Sequence, residues 1–159
     1  MLLFRKLIFG ILFLISACGF SPIYTNNNSA NLNGQISIQE PNTQNDFVFY
    51  SRLTDRFEEA SSKYILNYAI TTAKEDKAIN FDGTVHRVEI SGFVTFSLKD
   101  TATGVQIFSD NDEMYLSYTN FGSTDAVLNA ERTTNKQLVV LLANKVADRV
   151  SLILVDQSS

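Results

Sequence analysis

The sequence predicts an α+β fold, a two-layer sandwich in which two helices pack on a four-stranded, mainly antiparallel sheet in the order β-α-β-β-β-α. Residues 47–60 and 125–155 repeat apolar side chains at helical spacing. Between them, apolar and polar residues alternate over 64–71 and 85–98, which is typical of strands with one face in water. A turn over 99–104 joins the last of these stretches to a further strand and indicates an antiparallel hairpin.

The first strand and the first helix follow from local signals. Alternating residues over 34–40 predict a half-buried strand, and Asn45 or Asp46 is suited to cap a helix over 47–60. At 100° per residue one face of this helix is apolar, and it is expected to pack on the sheet. That face consists of Phe49, Tyr50, Leu53, Phe57 and Ala60.

The central strands carry two irregularities. The polar stretch 74–77 is expected to end the strand that begins at Tyr64. In the return strand, the apolar residues change from odd to even positions across 110–113. Because a slip of one residue turns every side chain to the other face, a one-residue bulge is expected at this acidic segment.

The last helix has more apolar surface than one sheet can cover. Ser123 or Thr124 is expected to cap it. Leu138, Leu141 and Leu152 project away from its main apolar stripe, so they are candidates for a partner surface; a thick core or added contacts with the first helix would explain them equally well. The main stripe consists of Leu128, Val139, Leu142, Val146, Val150 and Ile153.

Residues 1–17 have the layout of a secretory signal peptide. Two basic residues precede an apolar run over 7–15, and small Ser16 and Ala17 stand directly before Cys18, the only cysteine. This arrangement is a lipobox. The apolar run is too short to span a hydrocarbon core, which needs roughly 20 apolar residues. The alternative, a single-pass anchor with a buried cysteine, is therefore disfavoured.

Cys18 is accordingly predicted to be the first mature residue, with a thioether-linked diacylglycerol and an N-acyl chain. The Asn-rich segment within 18–33 is expected to be a flexible tether, and 34–159 a single α+β domain. Among bacterial lipoproteins in general, Gly19 favours delivery to the outer membrane over retention in the inner membrane.

Charge and composition exclude several functions. Removal of the signal peptide leaves 11 basic residues against 17 acidic ones, so the formal charge falls from −4 to −6 and nucleic acid is not an expected partner. His86 is the only histidine and has no nucleophile to activate, so no enzyme activity or cofactor is expected. An EF-hand starting at Asp110 would need glycine and glutamate where Tyr115 and Phe121 stand, so no metal site is expected.

Three segments resemble one known family, the alphaproteobacterial form of the lipopolysaccharide-assembly lipoprotein LptE. Residues 18–24 resemble its Cys-Gly-Phe-x-Pro-Leu-Tyr start. The hairpin 98–104, followed by Tyr118, and the entry to the last helix at 125–132 are weaker matches. The family fold, two helices on a four-stranded sheet, agrees with the order predicted above.

The resemblance implies an outer-membrane lipoprotein, facing the periplasm, that sits in the lumen of the LptD β-barrel. There it would act as plug and assembly partner while lipopolysaccharide passes to the outer leaflet. Family members that bind lipopolysaccharide use clustered basic residues; here only Arg87 and Lys99 lie near the long hairpin, and they are the candidate contacts. The alternative is an accessory lipoprotein of a phospholipid transport system, which does not share the Cys-Gly-Phe start.

Overall fold

The computed structural model describes residues 35–57, 63–79, 81, 83 and 85–156. The predicted signal peptide 1–17, the lipidation site Cys18 and the tether 18–33 lie outside the described residues. The element order confirms the predicted fold class. The elements are β1 (Ile36–Ile38), α1 (Gln44–Phe57), β2 (Tyr64–Ile79), β3 (Val85–Asp100), β4 (Gln106–Thr119) and α2 (Thr124–Asp156).

The four strands form one sheet in the order β1-β2-β3-β4. Strand β1 is parallel to β2, whereas β2, β3 and β4 are antiparallel neighbours. A parallel pair needs a crossover connection, and α1 supplies it. The predicted turn between β3 and β4 is confirmed, and it places Gly104 at φ 68°, a left-handed conformation that glycine adopts without strain.

Strand β2 continues through the polar stretch 74–77, so the predicted interruption is wrong. Its register with β3 shifts only between Asp76 and Ile79. The charged side chains are accommodated because β2 lies at the edge of the sheet over most of its length. Lys77 Nζ lies 2.7 Å from Glu75 and 3.2 Å from Glu89 of the neighbouring strand.

The position predicted for the bulge, 110–113, is wrong. The β3–β4 register is unbroken from the Arg87–Thr119 pair to the Leu98–Phe108 pair, and the register shift lies between Leu98 and Lys99. Because Lys99 pairs with Gln106, the shift skips Ile107, and this one-residue slip accounts for the change in apolar parity. Asp110 and Asp112 point toward the helices, where two basic side chains neutralise them.

Each helix begins at a side-chain cap. Thr43 Oγ1 accepts the backbone N–H of Asp46 at 3.1 Å, and Asp46 Oδ2 accepts the Thr43 N–H at 3.0 Å, which is a reciprocal capping box. The capping residue is therefore Thr43, not Asn45 or Asp46 as predicted, and α1 begins three residues earlier than predicted; the predicted last turn, 58–60, lies outside the described residues. For α2, the predicted Ser123 cap is confirmed, since its Oγ accepts the Ala126 N–H.

The two helices lie side by side on the same face of the sheet and run in the same direction. Three polar contacts join them at a nearly constant sequence offset, which only parallel helices allow. They are Asn135–Asn45 at 2.8 Å, Arg52–Asn144 at 2.8 Å and Arg56–Asp148 at 2.7 Å. Because the first contact joins the start of α1 to Asn135, the turns of α2 before this residue have no helix of the described ranges beside them.

The core fills the space between the sheet and the helices. Leu138 is fully buried, so of the two alternatives left open for it the core holds and the partner surface does not. Leu128, expected in the core, is 43% exposed because it precedes the part of α2 that α1 flanks. Gly92 of β3 permits the close approach of α2: a Cβ there would lie 2.8 Å from Leu138 and 2.9 Å from Leu142.

Candidate partner interface

Within the described ranges, the face of the sheet opposite the helices is uncovered. It is formed by the odd-numbered residues of β3 with the residues that pair with them in β2 and β4. The even-numbered residues of β3 from Val88 to Leu98 are buried beneath the helices. This uncovered face extends over three strands and is a candidate surface for a partner.

The middle of the uncovered face is polar and uncharged. Two adjacent cross-strand rows there carry hydroxyl, amide and methyl groups, and all of their residues except Asn111 line a shallow depression. Hydroxyl and amide groups donate and accept hydrogen bonds without the cost of burying a charge. The two rows are Asn67–Ser97–Ser109 and Ala69–Thr95–Asn111.

Two aromatic side chains stand beside these rows. Phe93 is 41% exposed and Tyr115 is 53% exposed. Tyr115 pairs with Ser91 and Phe93 pairs with Glu113, so the two rings are diagonal neighbours on adjacent strands. A hydrogen bond to Glu113 raises the pKa of Tyr115 above its usual range. The face thus offers an aromatic contact next to a hydrogen-bonding surface.

The predicted lipopolysaccharide contacts, Arg87 and Lys99, both lie on the uncovered face but are not brought together. They occupy the same strand twelve positions apart, which corresponds to about 40 Å. Arg87 and Lys99 therefore cannot bind the same phosphate group. Any contact they make with a glycolipid must involve two separate places on it, or two different molecules.

The three leucines of α2 that were candidates for a partner surface are also not brought together. Leu141 is 39% exposed and Leu152 is 71% exposed, whereas Leu138 belongs to the core. Eleven residues of helix separate the two exposed leucines by about 16 Å. They do not form one patch.

The sequence interpretation missed a charged cluster between β4 and α2. Lys145 Nζ lies 2.6 Å from Asp112 Oδ1, Arg149 Nε lies 3.4 Å from Asp112 Oδ2, and Arg149 also pairs with Asp110. The sequence contained a signal for this cluster. Asp110 and Asp112 are two positions apart in a strand, and Lys145 and Arg149 are four positions apart in a helix. Such spacings place each pair on one face of its element.

Asp112 is the most buried charged residue among those described, with 7% of its surface exposed. Burial alone would raise its pKa. The hydrogen bonds from Lys145 and the Glu113 N–H, with the charges of Lys145 and Arg149, outweigh burial and lower the pKa below the usual value. The carboxylate therefore stays ionised and ties α2 to the edge strand.

The part of α2 that α1 does not flank is attached through Glu131. Its carboxylate accepts a hydrogen bond from Lys74 Nζ at 2.7 Å and another from the Tyr118 hydroxyl at 3.3 Å. The hydrogen bonds from Lys74 and Tyr118 and the positive charge of Lys74 hold the pKa of Glu131 below its usual value. Both ends of this long helix are thus joined to the sheet by ion pairs.

The described side chains that are candidates for catalysis or metal binding do not form a cluster. His86 is exposed at the start of β3, and its ring stacks on Phe121 with centroids 6.1 Å apart. No group of three or more potential metal ligands occurs among the described side chains. Neither described helix combines the length and the apolar character needed to cross a membrane.

The fold is shared with solved bacterial lipoproteins. A candidate lipoprotein from Caulobacter crescentus superposes with a TM-score of 0.65 at 13% identity, over 81% of this chain and 96% of that one. Rare lipoprotein B from Shewanella oneidensis gives 0.62 at 14% identity over 79% and 98%, and a minor lipoprotein from Acinetobacter baumannii gives 0.60 at 17% identity over 75% and 91%. What this chain shares with them at such identities is the fold. No protein-family model matches the sequence, and no curated protein matches it.

Proposed function

We propose that this chain is an outer-membrane lipoprotein that fills the lumen of the LptD β-barrel and assists its assembly, so that lipopolysaccharide can pass to the outer leaflet. Cys18 would carry the lipid anchor, and the domain would face the periplasm. The lipoprotein part of the proposal is supported by the lipobox and by the fold that the chain shares with three bacterial lipoproteins.

The observation that carries the plug function is the uncovered face of the sheet. A large transmembrane barrel has a polar interior, because its apolar side chains face the lipid. A plug therefore needs an outer surface that forms hydrogen bonds without burying unpaired charge. Asn67, Thr95, Ser97, Ser109 and Asn111 supply such a surface on three adjacent strands.

The shape of the domain supports the same proposal. The described strands reach 16 residues, about 53 Å, and the 33 residues of α2 span about 50 Å. A membrane is about 40–45 Å thick including its headgroups. A domain of this length that enters a barrel from the periplasm can fill the lumen from one side to the other.

Affinity purification of the full-length lipoprotein from detergent-solubilised outer membrane tests the partner. The proposal predicts recovery of a large β-barrel at about one copy per copy of this chain. Recovery of an inner-membrane phospholipid transporter instead would replace this proposal with the alternative function. The Cys18→Ser variant should lose fatty-acid labelling, and labelling that persists in it would contradict the lipid anchor.

A bulky substitution tests whether the uncovered face meets the barrel wall. Ser97→Trp should lower the amount of co-purified barrel about tenfold, because the ring blocks close packing at the centre of the interface. Ala102→Trp, in the exposed turn between β3 and β4, is the matched control and should leave recovery unchanged. Equal recovery with both variants, at unchanged thermal stability, would show that another surface makes the contact.

A further inference from the structure

Strand β4 forms an edge of the sheet, since no described strand pairs with its outer side. Asn120, directly after β4, donates its N–H to the His86 carbonyl across the β3–β4 pair. In an antiparallel pair, residues whose backbone groups bond to the neighbouring strand alternate with residues whose groups point away from it. The register therefore directs the N–H and C=O groups of even-numbered residues toward β3 and those of odd-numbered residues 109–119 away from the sheet.

The middle of this edge is closed by side chains of the domain itself. Asp110 Oδ1 accepts the outward N–H of Asn111 at 2.8 Å. Asp112 Oδ1 accepts the outward N–H of Glu113 at 2.9 Å. From α2, Lys145 Nζ donates to the Glu113 carbonyl at 3.5 Å and pairs with Asp112. Charged side chains that point inward on an edge strand protect it from pairing with another strand. A second strand could pair here only by breaking these contacts.

Residues 115–119, which we call the open segment, have no such protection. Among the described residues, no group bonds to the outward N–H and C=O groups of Tyr115, Ser117 and Thr119. None of the five residues is charged. They span about 17 Å of strand edge. The open segment therefore presents alternating backbone donors and acceptors that an extended polypeptide matches.

Both faces of the open segment offer contacts to the side chains of an added strand. On the uncovered face, Tyr115 is 53% exposed. On the other face, Leu116 is only half-buried, because α2 lies above β3 here and not above the edge. Glu131 of α2 bonds to Lys74 of β2 and to Tyr118 of β4, which stand on either side of β3. Since Tyr115 belongs to the uncovered face, one partner can contact this face and the open segment together.

The opposite edge of the sheet, along β2, is less suited to strand addition. Strand β1 and the residue after it occupy this edge up to Leu66. The start of α1 lies against the next part, where it bonds to the side chains of Tyr68 and Thr72. Farther along, every residue of 74–77 is charged. Charges on an edge strand disfavour pairing with another strand.

We propose that the open segment binds an extended stretch of the β-barrel partner, which joins the sheet as an additional strand beside β4. This inference rests on the proposed function and specifies part of its interface. The wall strands of a closed barrel have no free edge, so the added stretch belongs to a part of the barrel chain outside the wall. Main-chain hydrogen bonds supply the affinity in this mode of recognition.

The side chains around the open segment define the chemistry of the added stretch. It is uncharged beside 115–119, where an unpaired charge would be costly to bury. At the end that reaches Glu113 it carries a basic side chain. Glu113 is exposed and forms no ion pair within 4 Å with a described basic group. The closed middle of β4 limits the added strand to the open segment.

Proline substitution tests the strand addition, because proline has no N–H and its ring obstructs a neighbouring strand. Ser117→Pro removes no hydrogen bond to β3, since this N–H points away from the sheet. It should lower the amount of barrel that co-purifies with the full-length lipoprotein about tenfold. Thr124→Pro is the matched control and should leave recovery unchanged. Thr124 is exposed and is the first residue of α2, where proline is tolerated.

Hydrogen exchange of the unsubstituted chain gives a second measurement, which decides the question if Ser117→Pro lowers the thermal stability of the domain. In the free full-length lipoprotein in detergent, the amides of Tyr115, Ser117 and Thr119 should exchange fast. Those of Leu116 and Tyr118 should exchange slowly, because they bond to β3. In the purified barrel complex, the three outward amides should slow by about tenfold or more.

The outcomes separate this inference from the function on which it rests. Unchanged exchange of the three outward amides in an intact barrel complex would overturn the strand addition. Full recovery of the barrel with Ser117→Pro would overturn it as well, and both results would leave the plug function standing. If the unsubstituted lipoprotein recovers no barrel, the proposed function fails, and this inference fails with it.

Discussion

At the scale of single residues, Asp112 shows how a polar group can belong to a core. The alternation of β4 would be broken by an acidic residue on the covered face unless a partner neutralised it, and Lys145 and Arg149 do so from α2. A sequence pattern of one strand contains no information on which helix residue will lie above it. This contact could therefore not be predicted, and a bulge was the simplest local explanation.

The lowered pKa of Asp112 predicts a particular dependence of stability on pH. The native state binds this proton less readily than the unfolded chain, so the contribution is complete above the ordinary pKa of about 4 and is lost as the pH falls through the lower native value. The Asp112→Asn variant should be less stable than the wild type at pH 7, by about 1–2 kcal/mol, since its two partners are partly solvated.

Urea unfolding at a series of pH values between neutral and strongly acidic measures this effect. The difference between the wild type and Asp112→Asn should shrink as the pH falls below about 4. Asp55→Asn, an exposed position on α1, is the control and should change stability by less than about 0.5 kcal/mol. A difference that stays constant down to low pH would show that Asp112 contributes through packing and not through its charge.

At the scale of elements, the contact between β3 and α2 depends on the missing side chain of Gly92. Leu138 and Leu142 occupy the space that a larger residue would need. Gly92→Ala should remain within about 1 kcal/mol of the wild type, because the gain from a stiffer unfolded chain offsets the crowding. Gly92→Val should lose about 2 kcal/mol through overpacking, as measured by denaturant unfolding.

A stable Gly92→Val variant would contradict this close approach. Ser91→Val is the matched control, because Ser91 is the preceding residue of β3 and lies on the uncovered face. It should leave stability within about 0.5 kcal/mol of the wild type.

Most elements could be predicted because their signals are local. The even-numbered apolar residues of β3, the turn at Gly104 and the Ser123 cap each follow from a few neighbouring positions. The errors arose where one element depends on another. Lys77 is accommodated in β2 because its ammonium lies 3.2 Å from Glu89 of β3. The burial of Leu138, which the sequence left open, depends on the room that Gly92 leaves for it.

At the scale of the whole molecule, the uncovered face was predicted as a property of one strand, from the polar odd-numbered residues of β3. Its extent over three strands depends on the register, which single-strand patterns do not give. The separation of Arg87 from Lys99 follows from the length of β3. The partner itself is inferred from a resemblance and stays a proposal.

The separation of Arg87 from Lys99 predicts the outcome of a test of the proposed lipopolysaccharide contacts. If each meets a phosphate group during transport, Arg87→Gln and Lys99→Gln should each reduce the lipopolysaccharide that co-purifies with the barrel complex by a few-fold, and the double variant should show the product of the two effects. Sites about 40 Å apart do not share a partner group. A double variant no weaker than either single variant would show that the two residues serve one common step.

The short parallel strand β1 has a mechanical consequence. If Cys18 carries the proposed lipid, a pull on that lipid would reach the described domain at Gln35 and pass to the three residues of β1 that pair with β2. Because β1 runs parallel to its neighbour, the pull acts along the strands and loads these hydrogen bonds in shear. Under sufficient load β1 should slide out first, while β2, β3, β4 and α2 keep their contacts. The strand next to the proposed anchor, β1, would thus be the first element of the described sheet to detach under load.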